Sequence, residues 1–244
     1  MLVAAAVCPC PPLLVPAVAA GAAGELDGLR TACADTLAVL AEARPDRLVV
    51  VGPARSAAGP AGAPGTERFP QGTRGSFRDV GVDLEVQLGS GGDAGAGQVL
   101  PQSLAVAAWL LGTVQWSAAP VEGLAVDEDL GRDRCAATGR EIAGGSERIA
   151  LLVMGDGSAC RTLKAPGYLD ERAAGFDERV AQALGSADTA ALLALDEGVA
   201  RELLAAGRAP WQVLAGAGRD AGLNGKLLHD AAPYGVGYFT AVWN

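Results

Sequence analysis

Residues 25–53, ELDGLRTACADTLAVLAEARPDRLVVVGP, join a helix pattern to a continuous apolar strand. The helix pattern ends at Pro45, because proline cannot continue a helix. The strand, 47–53, has the unbroken apolar character of a parallel strand that is covered on both faces. With the earlier apolar run Leu2–Val7, the order strand, helix, strand predicts an α/β sheet. The predicted buried stripe of the helix consists of Leu26, Leu29, Cys33, Leu37 and Leu40.

The rest of the chain continues this alternation. We predict a strong strand over Ile149–Met154, which breaks at Gly155, and weaker strands over 82–88, 113–121 and 234–243. Helix patterns cover 102–112, 127–144, 169–185, 186–207 and 210–218, with Asp188 and Asp196 as N-caps.

With 244 residues, half of them apolar, the chain suits a single domain over 1–244. The predicted fold class is α/β, with a central, largely parallel or mixed sheet flanked by helices. A Gly/Pro-rich stretch, 54–78, is predicted to be a long loop over the carboxyl ends of the strands.

The composition indicates which classes of binding partner and which cellular compartment to expect. The net charge is −9 and no block of Lys or Arg is present, so we expect neither direct nucleic-acid binding nor a membrane contact. The five cysteines are odd in number and irregularly spaced, unlike the disulfide framework of a secreted protein. The apolar run at the N-terminus is short for a signal peptide and no basic residue precedes it. We therefore expect a cytoplasmic protein.

The single histidine, His229, limits the metal chemistry. One chain with one histidine cannot supply the two histidines of a facial-triad iron centre or of a typical catalytic zinc site. A cysteine-based site would draw on Cys8, Cys10, Cys160, His229 and Asp230. However, Cys8 and Cys10 lack the spacing of structural zinc ligands, and no second pair exists. We expect no metal.

Nucleophilic catalysis needs a serine or cysteine, a base and a group that orients the base. Ser158 or Cys160 could act with His229, and Asp156 or Asp170 would orient it. The surrounding segment GDGSAC lacks the G-x-S-x-G pattern of hydrolases.

Five segments, in order, resemble a known family: CPCPPLLVP (8–16), LVVVGP (48–53), LLVMGDGSA (151–159), APGYLDERAAGFDERV (165–180) and APYGVGYFTA (232–241). The family is the class III extradiol dioxygenase B-subunit, or LigB-like, superfamily, which also contains the Memo proteins. The resemblance covers nearly the whole chain and is strongest to a compact actinobacterial branch.

Active members of that superfamily open a catechol ring with O₂ at Fe(II). The resemblance equates their two iron-binding histidines with Cys10 and Ala54, their catalytic histidine with Ala159, and their carboxylate ligand with Ala231. All four positions have lost the functional group, so the resemblance implies the fold but not the reaction, and no cofactor is expected. The implied pocket, whose four substituted positions should converge, comprises Cys10, Ala54, Asp156, Ser158, Ala159, Asp230, Ala231 and Tyr234.

The leading expectation is a LigB-like pseudoenzyme that binds a small molecule or a protein partner at this pocket; a homo-oligomer is also possible. Two alternatives stay open. One is an iron-independent enzyme that uses Cys10, Ser158, Cys160 or His229. The other is an extradiol-type dioxygenase that another subunit completes.

Overall fold

The computed structural model describes residues 1–55, 63–91 and 97–244. The strands are β1 Leu2–Cys8, β2 Arg47–Ala54, β3 Thr66–Phe69, β4 Arg74–Ser76, β5 Glu85–Gln87, β6 Val121–Asp127, β7 Ile149–Met154, β8 Gly225–Ala231 and β9 Tyr238–Trp243. The α-helices are α1 Pro16–Ala19, α2 Asp27–Glu42, α3 Gln102–Thr113, α4 Arg132–Ala143, α5 Arg172–Gly185, α6 Thr189–Leu193, α7 Glu197–Glu202 and α8 Arg208–Gly218.

Seven strands form one sheet in the order β3-β6-β2-β7-β1-β9-β8, and β4 and β5 form a small separate sheet. The four central strands, β6, β2, β7 and β1, pair in parallel. At the edges, β3 is antiparallel to β6, β9 to β1, and β8 to β9. This topology makes β8 run in the same direction as β1. The predicted α/β class with a mixed central sheet is confirmed.

Helices cover both faces of the sheet, which explains the unbroken apolar strands. In β2, Leu48 and Val50 pack into the cluster that contains α2 and α3, whereas Val49 and Val51 pack into the cluster that contains α4, α5 and α8. Because successive side chains of a strand point to opposite faces, both sets must be apolar. The predicted α2 stripe is buried as expected.

Several boundaries differ from the predictions. The predicted strand 113–121 is wrong, because Thr113 ends α3 and the strand β6 runs from Val121 to Asp127. The helix predicted from residue 127 therefore begins only at Arg132. The strand predicted over 82–88 is limited to the three residues of β5.

The end of the chain holds two strands where one was predicted. The predicted closing strand begins at Tyr238 rather than at residue 234, because a turn that includes Gly235, with a φ of 77°, precedes it. The edge strand β8, which carries His229, was missed. The caps of α6 and α7 are confirmed: the Asp188 side chain accepts from the amide of Ala191, and Asp196 accepts from that of Val199.

The predicted loop 54–78 is wrong over part of its length, because it contains β3 and β4. Strand β3 is ordered by antiparallel pairing of Thr66–Phe69 with β6, a tertiary contact that the local Gly/Pro content does not reveal. Residues 56–62 of this stretch lie outside the described residues.

Candidate functional site at the carboxyl edge of the sheet

The four substituted positions share one edge of the sheet. Cys10 follows β1, Ala54 ends β2, Ala159 follows β7, and Ala231 ends β8. Since these strands run in the same direction, their carboxyl ends lie along a common edge, where α/β proteins hold their ligands. Strands β2 and β8 are separated by four inter-strand distances, which is about 19 Å across a flat sheet. How closely the four positions approach across the edge stays a prediction.

Cys10 and Asp156 are joined directly. The backbone amide of Cys10 donates to Asp156 Oδ1 at 2.8 Å, and the amide of Gly155 donates to the carbonyl of Cys8 at 3.0 Å. These two bonds tie the Cys8-Pro9-Cys10 turn to the end of β7. Burial raises the pKa of Asp156 to about 7; the Cys10 amide opposes this shift and the charge of Glu128 adds to it.

The Cys10 thiol is buried and protonated at neutral pH. Burial raises its pKa well above the ordinary value, and the negative charges of Asp156 and Glu128 raise it further. A metal-binding or nucleophilic cysteine needs the opposite environment, with nearby positive charge that favours the thiolate. Tyr238, which sequence analysis missed as a site residue, is also buried here: burial and then Asp156 and Cys10 raise the pKa of its hydroxyl.

Ser158 is held by a buried carboxylate. Its amide donates to Asp177 Oδ1 and its hydroxyl donates to Asp177 Oδ2, each at 2.8 Å, while Arg161 donates to the same Oδ2 at 3.0 Å. A Cβ added at Gly237 would lie 2.6 Å from Asp177 Oδ2, so a glycine is required there. Burial raises the pKa of Asp177 although all three donors oppose the shift. Through these bonds Asp177 fixes Ser158 and the segment of chain that follows β7.

The predicted nucleophile, base and orienting group are not brought together by hydrogen bonds. Cys160 is buried with its Sγ 3.5 Å from the carbonyls of Gly167 and Leu203, and burial raises its pKa. Within the described ranges, no hydrogen bond links His229 on β8 to Ser158, Cys160 or Cys10. The Arg172 guanidinium bonds Asp170 and lowers the pKa of that carboxyl to about 2.

Three other predicted pocket residues, Tyr234, Asp230 and Ala159, lie in separate surroundings. The hydroxyl of Tyr234 is 2.9 Å from Glu25 Oε2, to which it donates. Asp230 lines a groove of about 620 Å³ between α5 and β8, together with Ala174 and Leu227. Ala159 is buried, and its amide donates to the carbonyl of Leu203.

A cavity of about 530 Å³ lies at the carboxyl ends of β2 and β6. Its wall is formed by Arg55, Ala63 and Pro64, by the residues that end and follow β6, and by residues from the end of α7 to the start of α8. The charged lining residues are Arg55, Asp127, Glu128, Asp129, Arg201 and Arg208. None of the predicted pocket residues lines it, although Ala54 precedes Arg55. The misplaced β6 hid this site, because Asp127 appeared to begin a helix.

Two ion pairs face this cavity, together with Arg208 and Asp127, which have no ion-pair partner within the part of the chain that the structure describes. Arg201 lies 2.7 Å from Asp129, and Arg55 lies 3.7 Å from Glu128. Burial raises the pKa of Glu128; the charges of Arg55 and Arg208 oppose the shift, and the neighbouring Asp129 and Asp127 add to it. Glu128 also raises the pKa of Asp156 and Cys10, so the cavity and the Cys10 turn are close enough to interact electrostatically.

No group of three or more His, Cys, Asp or Glu side chains in 1–55, 63–91 and 97–244 is placed to hold a metal ion. All five cysteines are free and buried. Across the same ranges, no helix has the length and apolar character needed to cross a membrane.

Comparisons with known proteins identify the fold. No family model matches the chain, and no curated protein matches it. Among solved structures, the chain is similar to the crystal structure of uncharacterized protein JW3007 from Escherichia coli K12. The TM-score is 0.61 with 16% identity, and the match covers 99% of both chains. At this identity the similarity shows the fold alone.

Proposed function

We propose that this chain is a LigB-like protein that has lost the iron centre, does not cleave catechols, and binds a small molecule at the carboxyl edge of its sheet. The observation that carries the proposal is the 530 Å³ cavity beside Glu128, which has the size of a typical ligand site and lies where α/β sheets bind ligands.

The side chains at the four family positions do not suit Fe(II). Ala54, Ala159 and Ala231 have no donor atom. The remaining group, the Cys10 thiol, is held protonated by burial and by Asp156. A facial-triad centre needs two imidazoles and a carboxylate, and this edge offers none of them in those positions.

The cavity wall has a further feature of ligand sites. Leu204, which lines the cavity, is 46% exposed and adopts a left-handed φ of 55°, although it is not a glycine. Residues held in sparsely populated backbone conformations cluster at ligand sites, where the surrounding structure maintains the strain. By contrast, Ser158 and Cys160 are buried and bonded within the fold, which disfavours the iron-independent enzyme.

The first experiment tests for loss of the iron centre. The protein is purified without oxygen, incubated with Fe(II), desalted, and analysed for iron and for turnover of protocatechuate. We expect iron far below one equivalent per chain and no yellow ring-cleavage product. Stoichiometric iron with turnover would refute the proposal, and turnover that appears only with an added subunit would support the two-subunit dioxygenase.

The second experiment tests the cavity. Small molecules that remain bound through purification are released by denaturation and identified by mass spectrometry. Ala206→Trp, which places a large side chain in the cavity, should abolish their retention. The matched control is Ala174→Trp, which fills the groove between α5 and β8 instead. Equal retention by both variants would show that the cavity is not the binding site. The cytoplasmic location and any protein partner stay predictions.

A further inference from the structure

Two charges in the cavity wall have no ionic partner. Arg208 is 3% exposed and Asp127 is 9% exposed, and both line the cavity. Neither takes part in any ion pair within 4.0 Å among the residues that the structure describes. The other charged groups that line the cavity are paired with one another: Arg201 with Asp129 and Arg55 with Glu128.

Each unpaired group is nevertheless fixed in place. The Arg208 guanidinium donates to the carbonyls of Leu130, at 2.5 Å, and Glu128, and to Gln212 Oε1 at 3.1 Å. Asp127 Oδ1 accepts the backbone amide of Asp129 at 2.8 Å. These neutral partners orient the two charges, and a buried charge without a counter-charge in direct contact is costly.

We propose that the cavity binds a zwitterionic small molecule, whose anionic group pairs with Arg208 and whose cationic group pairs with Asp127. This inference rests on the proposed binding function and names the class of its ligand. One molecule that carries both charges compensates both buried groups at once, and an oriented guanidinium is well suited to a carboxylate or phosphate.

Other ligand classes fit the wall less well. A simple anion would pair with Arg208 but would leave Asp127 uncompensated and would be repelled by it. A simple cation would leave Arg208 uncompensated. A metal ion lacks a ligand set, because Asp127, Glu128 and Asp129 are not placed around a common point for one. A wholly apolar ligand would displace water from both charged groups and would offer them no polar partner in its place.

The test uses four probes with a six-carbon chain that differ in the charged groups they carry and in the position of the ammonium group: 2-aminohexanoate, 6-aminohexanoate, hexanoate and hexylamine. Binding is measured by calorimetry at one pH and one ionic strength. We expect one of the two zwitterions to bind at least about tenfold more tightly than both singly charged probes, since only a zwitterion makes a charged hydrogen bond to both Arg208 and Asp127. The ammonium and carboxylate groups are close together in 2-aminohexanoate and lie at opposite ends of the chain in 6-aminohexanoate, so the two zwitterions test a short and a long distance between the charges.

Charge-removing variants link the preference to the two residues. Asp127→Asn keeps the acceptor for the Asp129 amide and should make hexanoate bind as tightly as the zwitterion. Arg208→Gln should do the same for hexylamine; if it fails to fold, Asp127→Asn still decides the test. The matched control is Asp133→Asn, whose side chain is 96% exposed and lies outside the cavity wall; it should leave the preference unchanged.

Three results would overturn the inference: equal binding of hexanoate and the zwitterions, a preference that Asp127→Asn does not alter, or no binding of any probe at millimolar concentration. The first would leave the proposed binding function intact and reassign the site to anions. Failure of the binding function itself is read separately, from equal retention of endogenous ligand in Ala206→Trp and in the control Ala174→Trp.

Discussion

The backbone amide of Cys10 and the carboxylate of Asp156, 146 residues apart in the sequence, are joined by a hydrogen bond of 2.8 Å. The bond lies at the carboxyl ends of the neighbouring strands β1 and β7, the centre of the sheet edge. It gives Asp156 a structural task at the position where the resemblance places an iron centre. Its strength and its pH dependence can both be measured.

Removing the acceptor should destabilise the fold. Asp156→Ala leaves the buried amide of Cys10 without its partner, which costs about 1–3 kcal/mol in the free energy of unfolding. Urea unfolding at pH 7 measures the effect. Asp156→Asn is the control, because its amide oxygen can still accept the bond, and it should lose much less. An equal loss in both variants would mean that the charge, rather than the bond, matters.

The pH dependence of stability should reveal the ionisation of Asp156. The carboxyl ionises near pH 3.9 in an unfolded chain and near pH 7 in the folded protein. Between these values the folded state binds more protons than the unfolded state, so this group's contribution to stability falls as pH rises from about 4 to about 7. The free energy of unfolding of the natural protein, relative to Asp156→Asn, should therefore decrease over this range and be constant above it. A flat difference would contradict the raised pKa.

Asp177 should matter more for stability than the serine it holds. Asp177→Ala leaves the buried amide and hydroxyl of Ser158 without their acceptor and the partly exposed Arg161 without its ionic partner, and each unsatisfied buried donor costs about 1–3 kcal/mol in the free energy of unfolding. Ser158→Ala removes one hydrogen bond only and should cost about 1 kcal/mol. Urea unfolding of the two variants and of the double variant gives their coupling. A loss for Ser158→Ala as large as that for Asp177→Ala would refute this account.

The sequence predicted the elements that have strong local patterns. Strands β1, β2 and β7 are apolar on both faces, and α2 has a clear stripe, so each could be located from its own residues. Strand β8 could not, because GKLLHDA is half-buried and its pairing with β9 shifts register between Leu227 and His229. The cavity could not be predicted either, because its wall combines the end of β6 with a segment about 75 residues later, and only the folded sheet brings them together.

Restoring the lost donors tests the family resemblance at its site. Cys10→His, Ala54→His and Ala231→Glu together replace the groups that the resemblance equates with two iron-binding imidazoles and a carboxylate. If the three positions converge as proposed, the triple variant should bind close to one equivalent of Fe(II) after anaerobic incubation and desalting, because a facial triad is then complete. Cys10→His alone, which supplies one ligand, is the control and should retain almost none. Circular dichroism establishes that the triple variant is folded. A folded triple variant without iron would show that these positions do not form one site, and the proposed LigB-like assignment would then rest on the short motifs without its ligand set.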